Sequence, residues 1–248
     1  MIILDIALNE LRRLFFSPLA WLILALVQFL LAIFFFVILS QYLGSPQIFM
    51  GRGITEIVVV GMFQIAGILM LLITPFITMR LFSEEQRTGT IKLLLSSPVS
   101  VTELVLGKYL GAMFLFLILL GLIALMPLSL LYGTGLDLGQ LAAVFLAMLL
   151  LMSTLAAIGL FISCLTKQPS VAAIGAFGVV FVLWIIHVGG NTGNGSVASI
   201  VSYLSMLRHY NSLLEGAFSS VDMFYYLILT TVFILLSIWR LDALRTYS

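Results

Sequence analysis

The chain has 248 residues, of which 62% are hydrophobic and 8% charged, and it carries a formal net charge of +1. Soluble domains contain about 25% charged residues, so this composition excludes a water-covered surface and indicates lipid as the main solvent. The sequence has no basic cluster of the kind that binds nucleic acid, and its single cysteine, Cys164, excludes an internal disulfide or a cysteine-based metal site.

The first sixteen residues are predicted to form a helix that lies on the membrane. Asp5, Asn9, Arg12 and Arg13 share one narrow helical face, whereas the apolar residues lie mostly opposite. This pattern is typical of an interfacial amphipathic helix. An ordinary basic anchor, with no role beyond fixing the topology, is the alternative interpretation.

Six later segments are apolar for long enough to cross a bilayer, which takes about 20 residues. They lie at 19–39, 57–79, 109–131, 141–165, 171–188 and 223–239. None of the six contains Asp, Glu, Lys or Arg, which disfavours a proton pump or an ion-coupled transporter. The predicted fold class is therefore all-α, a polytopic membrane protein with six transmembrane helices.

The lysines and arginines lie unevenly on the two sides of these spans. With the N-terminus inside, two of them, Arg52 and Arg208, fall outside, and nine fall on the cytoplasmic side. The nine are Arg12, Arg13, Arg80, Arg87, Lys92, Lys108, Lys167, Arg240 and Arg245. Because cytoplasmic loops carry the excess of positive charge, both termini are predicted to lie in the cytoplasm.

The charged loop at 80–108 contains two patterns that predict helix starts. Ser83 is followed three residues later by Gln86, and Ser100 is followed three residues later by Glu103. Both pairs fit the capping box, in which the two side chains satisfy each other's free backbone N–H groups. The second box opens the long helix that continues into the third span.

Between the two boxes the sequence predicts a short cytoplasmic helix. Gly89 interrupts the preceding helix, the stretch 90–97 carries Ile91, Leu94 and Leu95 on one face, and Pro98 ends the short helix. A rigid, amphipathic and charged element of this kind is suited to docking on a soluble partner.

This loop resembles the coupling region of type-2 ATP-binding-cassette (ABC) transporter permeases. The resemblance is carried by E-E-Q-R-T-G-T at 84–90, L-L-L-S-S-P-V-S at 93–100 and L-G-K at 106–108. The segment at 207–222 is similar to the outer loop before the last span of the same family. The chain looks closest to the gliding-motility and copper-maturation types, and the resemblance implies a single type-2 ABC transporter transmembrane domain at 1–248.

The resemblance implies that the short helix is a coupling helix that docks on an ABC ATP-binding subunit. The residues expected to serve this coupling are Glu84, Glu85, Arg87, Gly89, Thr90, Lys92, Leu94 and Pro98. Of these, Glu84, Glu85 and Arg87 are expected to make the polar contacts.

The resemblance also implies an outer re-entrant helical hairpin between spans five and six. Its arms are expected at 197–207 and 213–218, with Ser219 and Asp222 capping the sixth span. The residues carried over to the hairpin are Leu207, His209, Tyr210 and Gly216.

The chain contains no sequence that matches a P-loop of its own. A Walker A loop requires G-x-x-x-x-G-K-[ST], whereas Thr102 stands at the first glycine position before Gly107-Lys108, and Tyr109 follows. This agrees with what the resemblance implies, namely that the chain is not an enzyme and holds no cofactor, and that ATP and Mg are bound by a separate ATPase subunit.

The expected assembly contains two ATPase subunits and two permeases, the second being another copy or a related permease. It is expected in the cytoplasmic (inner) membrane of a bacterium or archaeon. An exporter is the leading hypothesis; a non-transporting scaffold or channel subunit and an intramembrane enzyme are the rivals. Gln28 and Gln64, the polar groups in spans one and two, are predicted either to join helices or to line the substrate path.

Overall fold

A computed structural model of the chain describes residues 2–44, 53–96, 99–132, 135–190, 203–216 and 219–246. Within these residues every regular element is a helix, and six helices are long and apolar enough to cross a membrane. The predicted all-α class with six spans is thereby confirmed.

The first half of the chain forms the helices that meet at one end of the bundle. They are α1 (Ile2–Phe16), α2 (Pro18–Gly44), α3 (Val60–Thr78), α4 (Arg80–Thr88) and α5 (Ile91–Leu95). A π-helical turn, Thr55–Val59, precedes α3 without a break. Only Met79 separates α3 from α4. The π-helical turn, α3 and α4 therefore form one nearly continuous helix of 34 residues, Thr55–Thr88.

The second half adds four spans and one short helix. These are α6 (Val101–Ser129), α7 (Leu138–Leu165), α8 (Pro169–Gly190), α9 (Met206–Leu214) and α10 (Ser220–Thr246). A 3-10 turn, Leu130–Tyr132, extends α6. The six spans alternate in direction, so α1 and the end of α10 lie on the side that carries α4 and α5. We call this side the α4 end and the opposite side the α9 end.

Most spans are longer than their apolar windows, because side chains that cap the helix ends allow further helical turns outside the apolar segment. The Ser100–Glu103 capping box is confirmed: Glu103 N–H donates to Ser100 Oγ at 3.1 Å, and Ser100 N–H donates to Glu103 Oε2 at 3.0 Å. It starts α6 well before the window predicted at 109–131. At the start of α7, Asp137 Oδ1 accepts from the N–H groups of Gly139 and Gln140.

The predicted capping box at Ser83 and Gln86 is wrong. Ser83 lies inside α4, where its hydroxyl donates to the carbonyl of Met79, and Gln86 instead donates to the carbonyl of Cys164 at 2.8 Å. The helix does not restart at Ser83, because the preceding span continues into the loop.

The centre of the bundle is α7. Some 72% of its apolar window is buried, compared with 22% for the windows of α2, α8 and α10. The long apolar faces of those three helices remain exposed, as expected for helices that meet lipid. The packed core therefore positions α3, α6 and α7 firmly, and the α4 end is built on that frame.

Candidate coupling site

The chain reverses direction between α4 and α5 at a left-handed glycine. Gly89 has φ +76° and ψ 0°, a conformation in which a side chain is strained. The hydroxyl groups of Thr88 and Thr90 lie 2.9 Å apart across the turn, and Thr88 also donates to the carbonyl of Glu84. The predicted break at Gly89 is confirmed, and it turns α5 away from the line of α4.

The short helix α5 presents one face to the protein and one outward. Ile91 and Leu94 are half-buried and pack against the core, whereas the side chain of Leu93 is 73% exposed. Thr90 is exposed at the start of the helix. The side chain of Lys92 and the whole of Pro98 lie outside the described residues.

At the α4 end, a buried lysine of α6 is held by three acceptors. The Nζ of Lys108 lies 2.5 Å from Glu85 Oε1 and 3.2 Å from Glu10 Oε2, and it donates to the Leu81 carbonyl at 2.7 Å. It also lies 5.0 Å from the centre of the Phe82 ring. A buried ammonium costs several kcal/mol unless it is paired, so these contacts make its burial tolerable.

Arg13 of α1 lies beside Lys108 and contacts the same two carboxylates. Its guanidinium donates to Glu10 Oε1 at 2.6 Å, to Glu85 Oε1 at 3.4 Å and to the carbonyl of Arg80 at 3.3 Å. We call Glu10, Arg13, Glu85 and Lys108 the ionic cluster. Its two carboxylates and two cations balance, and it ties the interfacial helix α1 to both α4 and α6.

Two glycines allow α1 to come close enough for these contacts. A Cβ atom added to Gly107 would lie 2.6 Å from Ile6 Cγ2, and one added to Gly111 would lie 2.7 Å from Glu10 Cβ. Small residues spaced four apart let helix backbones approach in this way. They flank Lys108, so the close approach of the backbones and the ionic cluster occur at the same place.

The end of α7 is inserted into the junction between α3 and α4. Ser163 Oγ accepts from the N–H groups of Phe82 at 2.8 Å and Ser83 at 3.0 Å, and it donates to the Met79 carbonyl. A side chain that enters a helix's hydrogen-bond ladder is a common cause of a bend. The regular helix is interrupted at Met79, between α3 and α4.

The structure separates the predicted polar coupling residues into two groups. The side chains of Glu84 and Arg87 have no hydrogen bond or ion pair within the described part of the chain, and Arg87 is exposed. Glu85 faces inward, and its side chain is only 12% exposed. The structure places Glu85 in the ionic cluster, and its predicted contact with an ATPase stays a prediction.

At the α9 end, α9 is held by buried polar contacts. Tyr210 is fully buried and its hydroxyl donates to the Phe63 carbonyl at 2.7 Å. Burial raises the pKa of the Tyr210 phenol, so this donor stays protonated. Gly216 has φ +84° just after the helix, and Leu207 is half-buried within it.

His209 joins α9 to the first turn of α10. Its Nδ1 lies 2.5 Å from Asp222 Oδ1, and its Nε2 lies 2.8 Å from the Tyr203 carbonyl. Ser212 donates to Asp222 Oδ2 at 2.7 Å. The expectation that Asp222 caps the sixth span is wrong, because both of its oxygens serve α9; Ser219 lies immediately before α10.

The expected arms of the outer hairpin also need correction. A single helix, α9, spans Met206–Leu214, where the two arms were expected to be separated. Most of the first arm, 197–207, and the last two residues of the second, 213–218, lie outside the described residues. The polar residues at 208–212 belong to a helix because Ser205 caps it, accepting from the N–H of Arg208 at 3.4 Å.

The two glutamines predicted for a substrate path have different surroundings. Gln28 donates through Nε2 to the Leu122 carbonyl of α6 at 3.1 Å, which is the ordinary use of such a residue between helices. Gln64 is exposed on α3. Their assignment to a pathway stays a prediction.

No role was predicted for Glu10 or Ser163, and Lys108 was predicted only as a cytoplasmic charge and as part of the L-G-K motif. Nothing in the sequence joins Glu10 to a lysine 98 residues away. The available hint was the small-residue pair at Gly107 and Gly111, which marks a helix-packing face around Lys108.

In a comparison with known protein families, residues 4–243 match a family described as ABC-2 family transporter protein. A comparison with curated proteins gives no match. The family match spans the helices that build the α4 end and those that build the α9 end. Among the described residues, no group of three His, Cys, Asp or Glu side chains is placed to hold a metal ion.

Proposed function

The chain belongs to the ABC-2 transporter family, and we propose that it is the permease subunit of an ATP-driven exporter whose ATPase subunits are separate polypeptides. In this proposal ATP and Mg are bound by the partner, and two permease chains assemble with two ATPase chains. The multi-pass chain lies in the cytoplasmic membrane of a bacterium or archaeon, with its α4 end in the cytoplasm. The excess of nine cations over two on that side supports this orientation.

The observation that carries the proposal is the connection of α5, through the Gly89 turn, to the part of α4 that enters the ionic cluster. Leu93 is exposed in the middle of α5, and the left-handed turn at Gly89 aims that helix away from α4. Four residues before that turn, Glu85 of α4 contacts Lys108 and Arg13, and its carbonyl accepts from the Thr90 hydroxyl at 3.5 Å. A displacement of α5 would therefore be passed through α4 to α6 by the Glu85–Lys108 contact, and to α1 by the contacts of Glu10 and Arg13.

Glu84 and Arg87 are the polar residues proposed to meet the ATPase. Their side chains are free within the described residues, and they lie on α4 beside the turn. Thr90 and Leu94 are proposed to support the contact by shaping the start and inner face of α5. Leu93 adds an apolar anchor that fits a groove on a soluble partner.

Two experiments test the proposal: site-specific photo-cross-linking from α5, and a substitution that strains the turn at Gly89. A photo-cross-linker at Leu93 should capture a protein that contains a Walker A loop, whereas one at Leu138, equally exposed at the α9 end, should not. Gly89→Val should reduce ATPase activity of the purified complex, because a β-branched residue at positive φ costs about 1–3 kcal/mol. Gly135→Val, at a glycine without positive φ, is the matched control.

The rival functions predict other outcomes. If no ATPase is captured at residue 93 and none remains in the purified complex, the chain is a scaffold or channel subunit. If Gly89→Val leaves both ATPase binding and activity intact, the turn has no part in coupling.

A further inference from the structure

Two consecutive residues attach α9 to different parts of the molecule. The hydroxyl of Tyr210 donates to the Phe63 carbonyl and so attaches α9 to α3, inside the bundle. His209 contacts Asp222 and so attaches α9 to the first turn of α10. Imidazole is the side chain whose charge ordinarily changes between about pH 5 and 8, so the second attachment contains a group that titrates in this range and the first does not.

Both ring nitrogens of His209 face acceptors. Nδ1 lies 2.5 Å from Asp222 Oδ1, and Nε2 lies 2.8 Å from the carbonyl oxygen of Tyr203. A neutral imidazole has one N–H and one lone pair, so it can donate to only one of these oxygens and would turn its lone pair towards the other. The imidazolium has an N–H at each nitrogen and can donate to both.

The surroundings of the ring favour the cation. The carboxylate of Asp222 accepts from the Ser212 hydroxyl at 2.7 Å through Oδ2, which leaves Oδ1 to accept from Nδ1 of His209. The ring of Tyr225 is stacked on the imidazole with the ring centres 4.1 Å apart, within the distance at which an aromatic face attracts a cation. His209 is 2% exposed and Asp222 7% exposed, so water cannot readily replace a lost partner.

The elements packed around α9 bring few other titratable groups to this contact. The helices α3, α7 and α8, which pack against α9, contain no Asp, Glu, Lys or Arg. The segment before α9 contributes the phenol of Tyr203, and α10 contributes those of Tyr225 and Tyr226; phenols ordinarily titrate near pH 10. Arg208 precedes His209 and is exposed. Helix α8 contains His187, whose side chain lies outside the described residues.

We propose that the contact between His209 and Asp222 is a pH-sensitive attachment of α9, formed by the imidazolium and weakened when the pH rises. Loss of the Nδ1 proton turns a lone pair towards Asp222 Oδ1, and the ion pair with α10 is lost. The N–H at Nε2 and the contact between Tyr210 and Phe63 remain. Helix α9 therefore stays on the bundle while its α10 side loosens.

The pH-sensitive attachment depends on contacts at the α9 end and not on coupling to an ATPase. The side of the membrane whose pH acts on His209 rests on the proposed orientation, in which the α9 end faces away from the cytoplasm. Both experiments below use the purified chain, in the assembly in which it is isolated, so their failure would leave the proposed function untouched.

The first experiment identifies the protonation state of His209 directly. The chain has two histidines, so the His187→Gln variant with isotope-labelled histidine gives ring-nitrogen NMR signals from His209 alone. While α9 is protected from hydrogen exchange, both nitrogens should carry a proton. An unprotonated Nδ1 in a protein whose α9 remains fully protected would overturn the proposal.

The second experiment follows hydrogen exchange as the pH is raised. Protection of the α9 amides, corrected for the intrinsic exchange rate, should fall about tenfold as His209 loses its proton, because a charge-assisted contact is lost. Protection in α7 should not change over the same range. The His187→Gln control should keep the step in α9, whereas His209→Gln should remove it and leave α9 weakly protected at every pH. A step that persists in His209→Gln, or that is absent from the wild type, would overturn the proposal.

Discussion

The two ends of the molecule each bury a charged contact, but they assemble it in different ways. At the α4 end, Glu10 and Lys108 meet across 98 residues of sequence, and Glu85 joins them from a third helix. At the α9 end, His209 and Asp222 are 13 residues apart and link consecutive helices. The first contact determines where whole helices lie, whereas the second fixes only a local turn.

The difference also concerns how each contact tolerates the loss of a partner. Lys108 balances two buried carboxylates, so removing it leaves both without their buried cation. Asp222 keeps the hydroxyl of Ser212 if His209 is removed. We therefore expect that losing one partner destabilises the packing of the whole α4 end, whereas at the α9 end the remaining contacts keep most of the local structure.

The largest expected effect is that of Lys108→Met. Leaving Glu10 and Glu85 buried without their ammonium partner should cost about 3–5 kcal/mol, measured by thermal unfolding of the detergent-purified protein. Lys167→Met, at an exposed lysine, is the matched control and should change little. Adding Glu10→Gln and Glu85→Gln should recover much of the loss; a triple variant as unstable as the single one would show that Lys108 acts by packing alone.

A smaller effect is expected when the α9 end is broken. Asp222→Asn weakens the contacts to His209 and Ser212, and it should cost about 1–3 kcal/mol while leaving α1 docked. Hydrogen exchange should increase in α9 and hardly change in α1. Asp5→Asn, at an exposed aspartate, serves as the control, and increased exchange in α1 would contradict the independence of the two ends.

The smallest effect should come from the rim of the ionic cluster. Arg13 is 41% exposed, so its ion pairs are partly screened by water, and Arg13→Gln should cost about 0.2–1 kcal/mol. The difference from wild type should shrink as salt concentration rises. Arg12→Gln, at the neighbouring exposed arginine, is the control. If Arg13→Gln lost more stability than Lys108→Met, and the loss did not depend on salt, Arg13 rather than Lys108 would be the buried centre of the cluster.

The sequence predicted the features that depend on neighbouring residues. Six apolar windows identified the spans, Ser100 and Glu103 identified a helix start, and Gly89 identified the turn. Each of these is set by a few consecutive residues whose side chains meet their own backbone. Composition was sufficient for the fold class because lipid tolerates so few alternatives.

The sequence could not predict which charges lie inside. Glu84 and Glu85 are adjacent and chemically alike, yet only Glu85 reaches Lys108, because the two point to different faces of α4. The capping box expected at Ser83 failed for a related reason: Ser163, 80 residues away, supplies the acceptor for the backbone of α4. Such pairings depend on how α1, α4 and α7 pack, which one sequence does not encode locally.

The hydroxyl of Ser163 has a mechanical consequence for the long helix that it enters. A helix of 34 residues is about 51 Å long, against about 30 Å of hydrocarbon, so it extends well beyond the membrane. With Ser163 as a fulcrum at Met79, the arm that leads to Gly89 is about 15 Å long and the arm that leads back to Thr55 about 36 Å. Because the regular helix is interrupted at Met79 and the core holds α3, a displacement at the turn would bend the short arm about this point, where an angle of about 10° moves Gly89 by about 3 Å.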